Sequence, residues 1–246
     1  MPLTDEELIK KFKIKPTDRI LDVGGSAKQH SSIKIDTLVD LVKPLDTPYN
    51  PTKLSAKNFV KLDLTRDKFP FKEKEFDFIL CSHTLEDLDT PFLVIDEMER
   101  VGKRGYISTP SRGKDSEFSH FNLTDWLTGP RRVPGLSHHK WFFEYRNNQM
   151  YISPKNYPLL YTNEFCITQW KGTDEFEFYW VDKIKYKKFN STSSHQLVKD
   201  YQIFMKLNKN LIIKGVPLIY LDNLYYFLKE LIKLLLRRGQ GFKYIK

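Results

Sequence analysis

Cysteine is almost absent: Cys81 and Cys166 are the two in 246 residues. That is too few for a disulfide framework or a cysteine-rich metal cluster, and both read as reduced thiols. No HExxH and no clustered CxxC occurs, so no metal centre is expected. No stretch of about 18 uncharged apolar residues is present, which argues against a membrane span. The opening MPLTDEELIKKFKIK lacks the apolar centre of a signal peptide. It reads instead as a short helix with a capping box, Thr4 and Glu7 each satisfying the other's backbone N–H. These absences describe a cytoplasmic protein.

Glycine is sparse too, at 11 residues. The dinucleotide fingerprint GxGxxG does not occur where a strand meets Gly24 and Gly25, because Ser26, Ala27 and Lys28 follow. NAD binding is therefore disfavoured. Aromatics are not scarce: 18 Phe and 13 Tyr within a 40% hydrophobic chain can fill a sizeable core, so a disordered or fibrous chain is excluded. The length fits one large domain, or a domain of about 150 residues with an appendage. The net charge of +9 is uneven: residues 201–246 hold nine Lys and Arg against Asp222 and Glu230, so +7 belongs to the tail.

Short apolar runs punctuate the first 110 residues. RILDV (19–23) ends in the glycine pair, TLVDL (37–41) follows, then 58–62, FDFILC (76–81) and GYIS (105–108). The prolines at 44, 48 and 51 oppose a helix between the second and third runs. Residues 91–101 read as an amphipathic helix with Thr90 as cap and Pro91 in its first turn. Strands alternating with helices predict a doubly wound, mostly parallel Rossmann-like α/β sheet. Ligands in such sheets sit beyond the C-terminal strand ends, which here hold Asp22, Asp40, Asp63 and Ser82. Beyond residue 112 the pattern changes to an antiparallel and helical extension. A short helix is expected at 122–127, a hairpin around Asn147-Asn148, one antiparallel strand over 175–187, and helices over 194–207 and 221–238. The expected division is a core at 1–112, an acceptor-recognition region at 113–190 and a basic helical extension at 191–246.

ILDVGG, LVDL, VKLDL with FPF, FDFILCSHTLEDLDTP and EMERVGKRGYISTPS, taken in order, resemble the class I S-adenosylmethionine-dependent methyltransferases, type 11 branch. The resemblance covers residues 19–112 and extends weakly through SHHKWFF and FEFYW. It implies S-adenosyl-L-methionine as cofactor and methyl transfer to a small-molecule acceptor, such as a sugar or glycan-lipid precursor. Asp22 with Gly24 and Gly25 would hold the methionine end, and Asp40, with Leu41 beside it, the ribose. Asp36 is the rival acid, but it precedes its strand. Asp63 and Leu64 would flank adenine, while Ser82 and His83 would line the reacting centre. Glu86 is read as orienting structure, and Asp87 replaces the His usual in that family. Because the sulfonium methyl is already activated, positioning can supply most of the acceleration. If the acceptor must lose a proton, the candidate bases are His83, His138 and His139. Without NPPY, DPPY or a Pro-Cys pair, chemistry on DNA bases is disfavoured. A non-catalytic binding module and an RNA methyltransferase are the alternatives.

Leu221, Leu224, Leu228, Leu231 and Leu235 repeat at helical spacing, with Lys229, Lys233 and Arg237 on another side. This segment either packs on the domain or lies on an anionic membrane at its inner face. Nucleic acid is disfavoured, since no aromatic-basic platform accompanies the charge. The oligomeric state is not encoded in any feature of the chain.

Overall fold

The computed structural model describes residues 3–48, 51–118, 134–162 and 164–214, with 224, 225, 227–229, 231, 232 and 234–236. Helix α1 (Asp5–Phe12) opens it, and the Thr4–Glu7 capping box forms as expected. Strands β1 (Ile20–Val23), β2 (Thr37–Asp40), β3 (Asn58–Lys61), β4 (Phe78–Ser82) and β5 (Arg104–Pro110) follow. Helix α2 (Phe92–Val101) lies between the last two, with Pro91 at its cap position and no side-chain cap bond. Thr90 does not cap it. Helix α3 (Arg112–Asp115) is a single turn capped by Ser111.

The main sheet has the order β3-β2-β1-β4-β5-β9, where β9 is Glu175–Val181. The first five strands run parallel, and β9 pairs antiparallel along all of β5, from Arg104↔Val181 to Pro110↔Glu175. The chain winds outward from β1 in one direction and from β4 in the other, so the switch point falls between them. The helical crossovers are thinner than expected. Among the described residues between β1 and β3 the helical elements are 3₁₀ turns at Gly25–Ala27 and Pro44–Asp46.

Side-chain alternation explains why both faces are covered. Ile20, Leu38, Phe78, Leu80 and Tyr106 face α1 and pack on Leu8 and Phe12. Leu21, Val39, Ile79, Cys81 and Ile107 face the other way, onto Val94, Ile95 and Met98 of α2. That second face continues under a hairpin of β6 (Trp141–Arg146) and β7 (Gln149–Pro154). Its turn residues Asn147 and Asn148 both take positive φ, 51° and 59°, as a two-residue hairpin of this hand requires.

The run expected as one strand over 175–187 divides. β9 ends at Val181, Asp182 turns with φ 60°, and β10 (Tyr186–Lys188) joins β7 in parallel. Short strands β8 (Gln169–Trp170) and β11 (Ile212–Ile213) pair antiparallel. A helix spans Ser194–Leu207, as its periodicity predicts. The helix expected at 122–127 lies outside the described residues. Those described between 224 and 236 are helical, and Leu224, Leu228, Leu231 and Leu235 are exposed. Among the described residues no helix is long and apolar enough to cross a membrane.

Candidate active site

The sharp turn after β1 is built from its glycines. Gly24 has φ +76°, and a Cβ there would collide with Thr84; a Cβ on Gly25 would land on the Asp22 carboxylate. Only glycine lets the backbone sit this low over the strand ends. Asp22 is thereby roofed by the turn, 2% exposed. Burial, with no cation in contact, pushes its carboxyl up to about 6.

Asp40, at the end of β2, accepts from the backbone N–H of Ser26 at 3.0 Å and of Leu41 at 2.7 Å. Its carboxylate thus braces the far side of the same turn. Leu41 itself is exposed. Asp36, the rival acid, is consumed structurally: it accepts the Ile20 N–H and pairs with Lys57. Asp63 follows β3 and accepts from the N–H and hydroxyl of Thr65 at 2.9 and 2.6 Å. These bonds hold its carboxyl below the usual range. Leu64 beside it is buried. The four expected strand-end positions therefore fall on adjacent strands, in the order Asp63, Asp40, Asp22, Ser82.

A cavity of about 430 Å³ opens at the β1/β4 switch point. Gly24, Gly25, Ser82, His83, Tyr106 and Ser108 line it, and residues 3–6 and 8 close it from α1. Asp22, Asp40 and Asp63 are not among the lining residues: Asp22 lies under the turn, Asp40 braces its side, and Asp63 stands two strands away at the end of β3. The hydroxyls of Tyr106 and Ser108 are buried without a hydrogen-bond partner, which leaves polar atoms for a ligand to satisfy. A cradle with no room for a Cβ and unpaired hydroxyls opposite it suits a polar cofactor such as S-adenosylmethionine.

His83 has φ 51°, uncommon for a residue other than glycine. Its ring lies between two carboxylates, Nδ1 3.4 Å from Glu86 and Nε2 3.2 Å from Glu175. These neighbours outweigh its desolvation and raise it to about 9. His83 is thus an imidazolium at neutral pH, suited to holding negative charge rather than to taking a proton. His138 and His139 do not reach this cavity. They line a separate one of about 540 Å³ with Asp87, Lys140, Lys155 and Tyr157. Residues 83–87 join the two: Glu86 approaches His83 with its side chain and accepts the Lys140 N–H with its carbonyl.

Sequence reasoning missed Asp5, His30 and Glu175. Asp5 accepts from His30 Nδ1 at 2.6 Å and from the N–H groups of Ser31 and Ser32 at 2.8 and 2.7 Å, tying α1 across the glycine turn. Nothing local to residue 5 or residue 30 announces a contact 25 positions away. Glu175 begins an alternating run, which signals a strand and not the neighbour it will meet.

Comparison with known proteins agrees with this geometry. A family model described as a methyltransferase domain matches residues 26–107. That stretch resembles the methyltransferase domain family. An uncharacterized protein of Methanocaldococcus jannaschii is 31% identical over 109 residues, 41% of this chain and 50% of that protein. The chain thus matches half the length of that curated relative. A SAM-dependent methyltransferase structure from Aquifex aeolicus is 23% identical over 44% of this chain and 65% of its own, with a TM-score of 0.32. One from Methanosarcina mazei is 17% identical over 60% and 74%, with a TM-score of 0.34. At these scores the Rossmann-like architecture of β1 to β5 rests on its own strand order, not on superposition.

Proposed function

We propose that the protein transfers a methyl group from S-adenosylmethionine to a small-molecule acceptor. The observation that carries this reading is the glycine turn closed on Asp22 and braced by Asp40 at the switch point of a parallel sheet, directly before the stretch 26–107 that resembles the methyltransferase domain family. The cofactor supplies a methyl already activated on a sulfonium. In this reading the turn backbone and Asp22 hold its amino-acid end, Asp40 its ribose, and Asp63 with Leu64 its adenine. Ser82 and the His83 imidazolium face the reacting centre, where the charge of His83 would orient an anionic acceptor or its leaving proton's destination. His138 and His139 would act on the acceptor only from the neighbouring cavity. Titration calorimetry with S-adenosylhomocysteine tests the reading: saturable one-to-one binding supports it, and no heat at millimolar ligand would sink it.

The C-terminal segment supports a second, separable proposal, peripheral contact with anionic membrane. Leu224, Phe227, Leu228, Leu231, Ile232 and Leu235 are all exposed, and the surrounding tail carries most of the positive charge. Full-length protein should float with phosphatidylglycerol vesicles, and protein truncated at Pro217 should not. Equal flotation of both rejects anchoring.

A further inference from the structure

In the second cavity an imidazole nitrogen and a carboxylate oxygen approach each other without forming a hydrogen bond. His139 is 4% exposed, and its Nδ1 lies 2.9 Å from Oδ1 of Asp115, which is 3% exposed. Asp115 also receives the Leu136 N–H and Lys155 Nζ, so its oxygens act as acceptors and His139 Nδ1 is placed to donate to it. The lone pair of His139 then sits on Nε2, aimed at Asp87 Oδ1 at 3.7 Å. His138 Nε2 approaches the same oxygen at 3.8 Å. Neither separation is a hydrogen bond, and Asp87 Oδ1 is buried with no donor. A carboxylate oxygen in that position is costly unless a cation meets it.

We propose that Asp87, His138 and His139 form a binding site for a divalent transition-metal ion. Bonds of about 2.0–2.2 Å at tetrahedral angles place ligand atoms about 3.4 Å apart. The three donor atoms lie within 4.8 Å of one another, so the widest pair must close by about 1.4 Å, a movement open to the exposed His138 ring and the half-buried Asp87 carboxylate while His139 stays fixed. Two imidazole nitrogens and one carboxylate oxygen suit zinc and its neighbours rather than calcium or magnesium. The Asp115 carboxylate behind His139 is the outer partner that metal-bound imidazoles generally have, fixing tautomer and ring orientation. Lys155 balances the charge of Asp115, and Lys140 is engaged by Asp89 at 2.6 Å, so no free ammonium of the site opposes a bound cation. With three protein ligands the remaining coordination positions open into the 540 Å³ cavity, the arrangement of a site that binds a further small ligand rather than of a closed structural one.

The fold, not the sequence spacing, makes this cluster. The Lys140 N–H donates to the Glu86 carbonyl, and the indole N–H of Trp141 donates to the Leu88 carbonyl at 2.9 Å. These two bonds clamp the 138–141 segment across the loop holding Asp87.

The site does not depend on the methyltransferase reading, and the test keeps the two apart. Tag-free full-length protein, stripped with chelator, is titrated with zinc chloride by calorimetry, and bound zinc is counted by mass spectrometry after dialysis. One equivalent is expected, with affinity at least tenfold weaker in His138→Ala and in Asp87→Asn. The cobalt-loaded protein should show visible d–d bands that both substitutions abolish. His138 is exposed, so thermal unfolding of His138→Ala in chelator should match the parent and certify its fold. Binding well below one equivalent, or binding undiminished in both variants, overturns the proposal. S-adenosylhomocysteine binding measured in chelator reads the other proposal independently.

Discussion

The carboxyl of Asp22 carries a pH dependence whose sign can be worked out. Its folded pKa of about 6 lies above the ordinary aspartate value. Between the two, the folded chain binds more protons than the unfolded one, so stability falls as pH rises through that window, by about 3 kcal/mol in all. Chemical denaturation of the ligand-free protein at pH 4.5 and 7.5 should show about 2 kcal/mol of this loss, and Asp22→Asn should remove it. Ligand binding should run the other way. An ammonium held above the turn favours the ionised carboxylate, so S-adenosylhomocysteine affinity should increase from pH 5 to pH 7 in the parent and not in Asp22→Asn. A flat affinity profile would place the ammonium elsewhere.

At the scale of elements, α1 is the piece that converts a strand-end crevice into a cavity. Its capping box was legible in the sequence. Its position was not, because that depends on Phe12 stacking on Tyr179 with ring centroids 4.9 Å apart and on Asp5 reaching His30. Asp5→Ala removes the acceptor of the exposed Ser31 and Ser32 N–H groups and the partner of His30, which should cost about 1 kcal/mol. The expected result is a lower melting temperature and cofactor binding weakened several-fold, read by scanning calorimetry and titration. Loss of stability with unchanged affinity would show that α1 only covers apolar surface. Strands β1, β2, β4 and β5 were legible for the opposite reason. Each is a short apolar run whose neighbours on both faces need only be hydrophobic, so no particular partner has to be foreseen.

The whole molecule is held across its halves by Arg112, which follows β5 and is 1% exposed. It pairs with Glu144 of β6 and with Asp200 of the helix Ser194–Leu207, both at 2.9 Å, and lies 4.6 Å from the Tyr201 and Phe204 rings. Arg112→Met keeps the volume but strips Asp200 of one of its two guanidinium partners, and should cost about 3–5 kcal/mol. Urea denaturation measures it; a loss below 1 kcal/mol would mean that Arg146, 2.6 Å from Asp200, suffices alone. The amino-acid sequence by itself determined the parallel strands, the glycine turn over Asp22, the Asn147-Asn148 hairpin and the 194–207 helix. All of these follow from backbone conformation and periodic burial within a few residues. Tertiary structure alone decided that β9 would extend the sheet beside β5, that His83 would be charged between Glu86 and Glu175, and that Asp87 would meet two histidines about 50 positions away. Those outcomes depend on packing and charge between distant segments, whose geometry no local pattern carries.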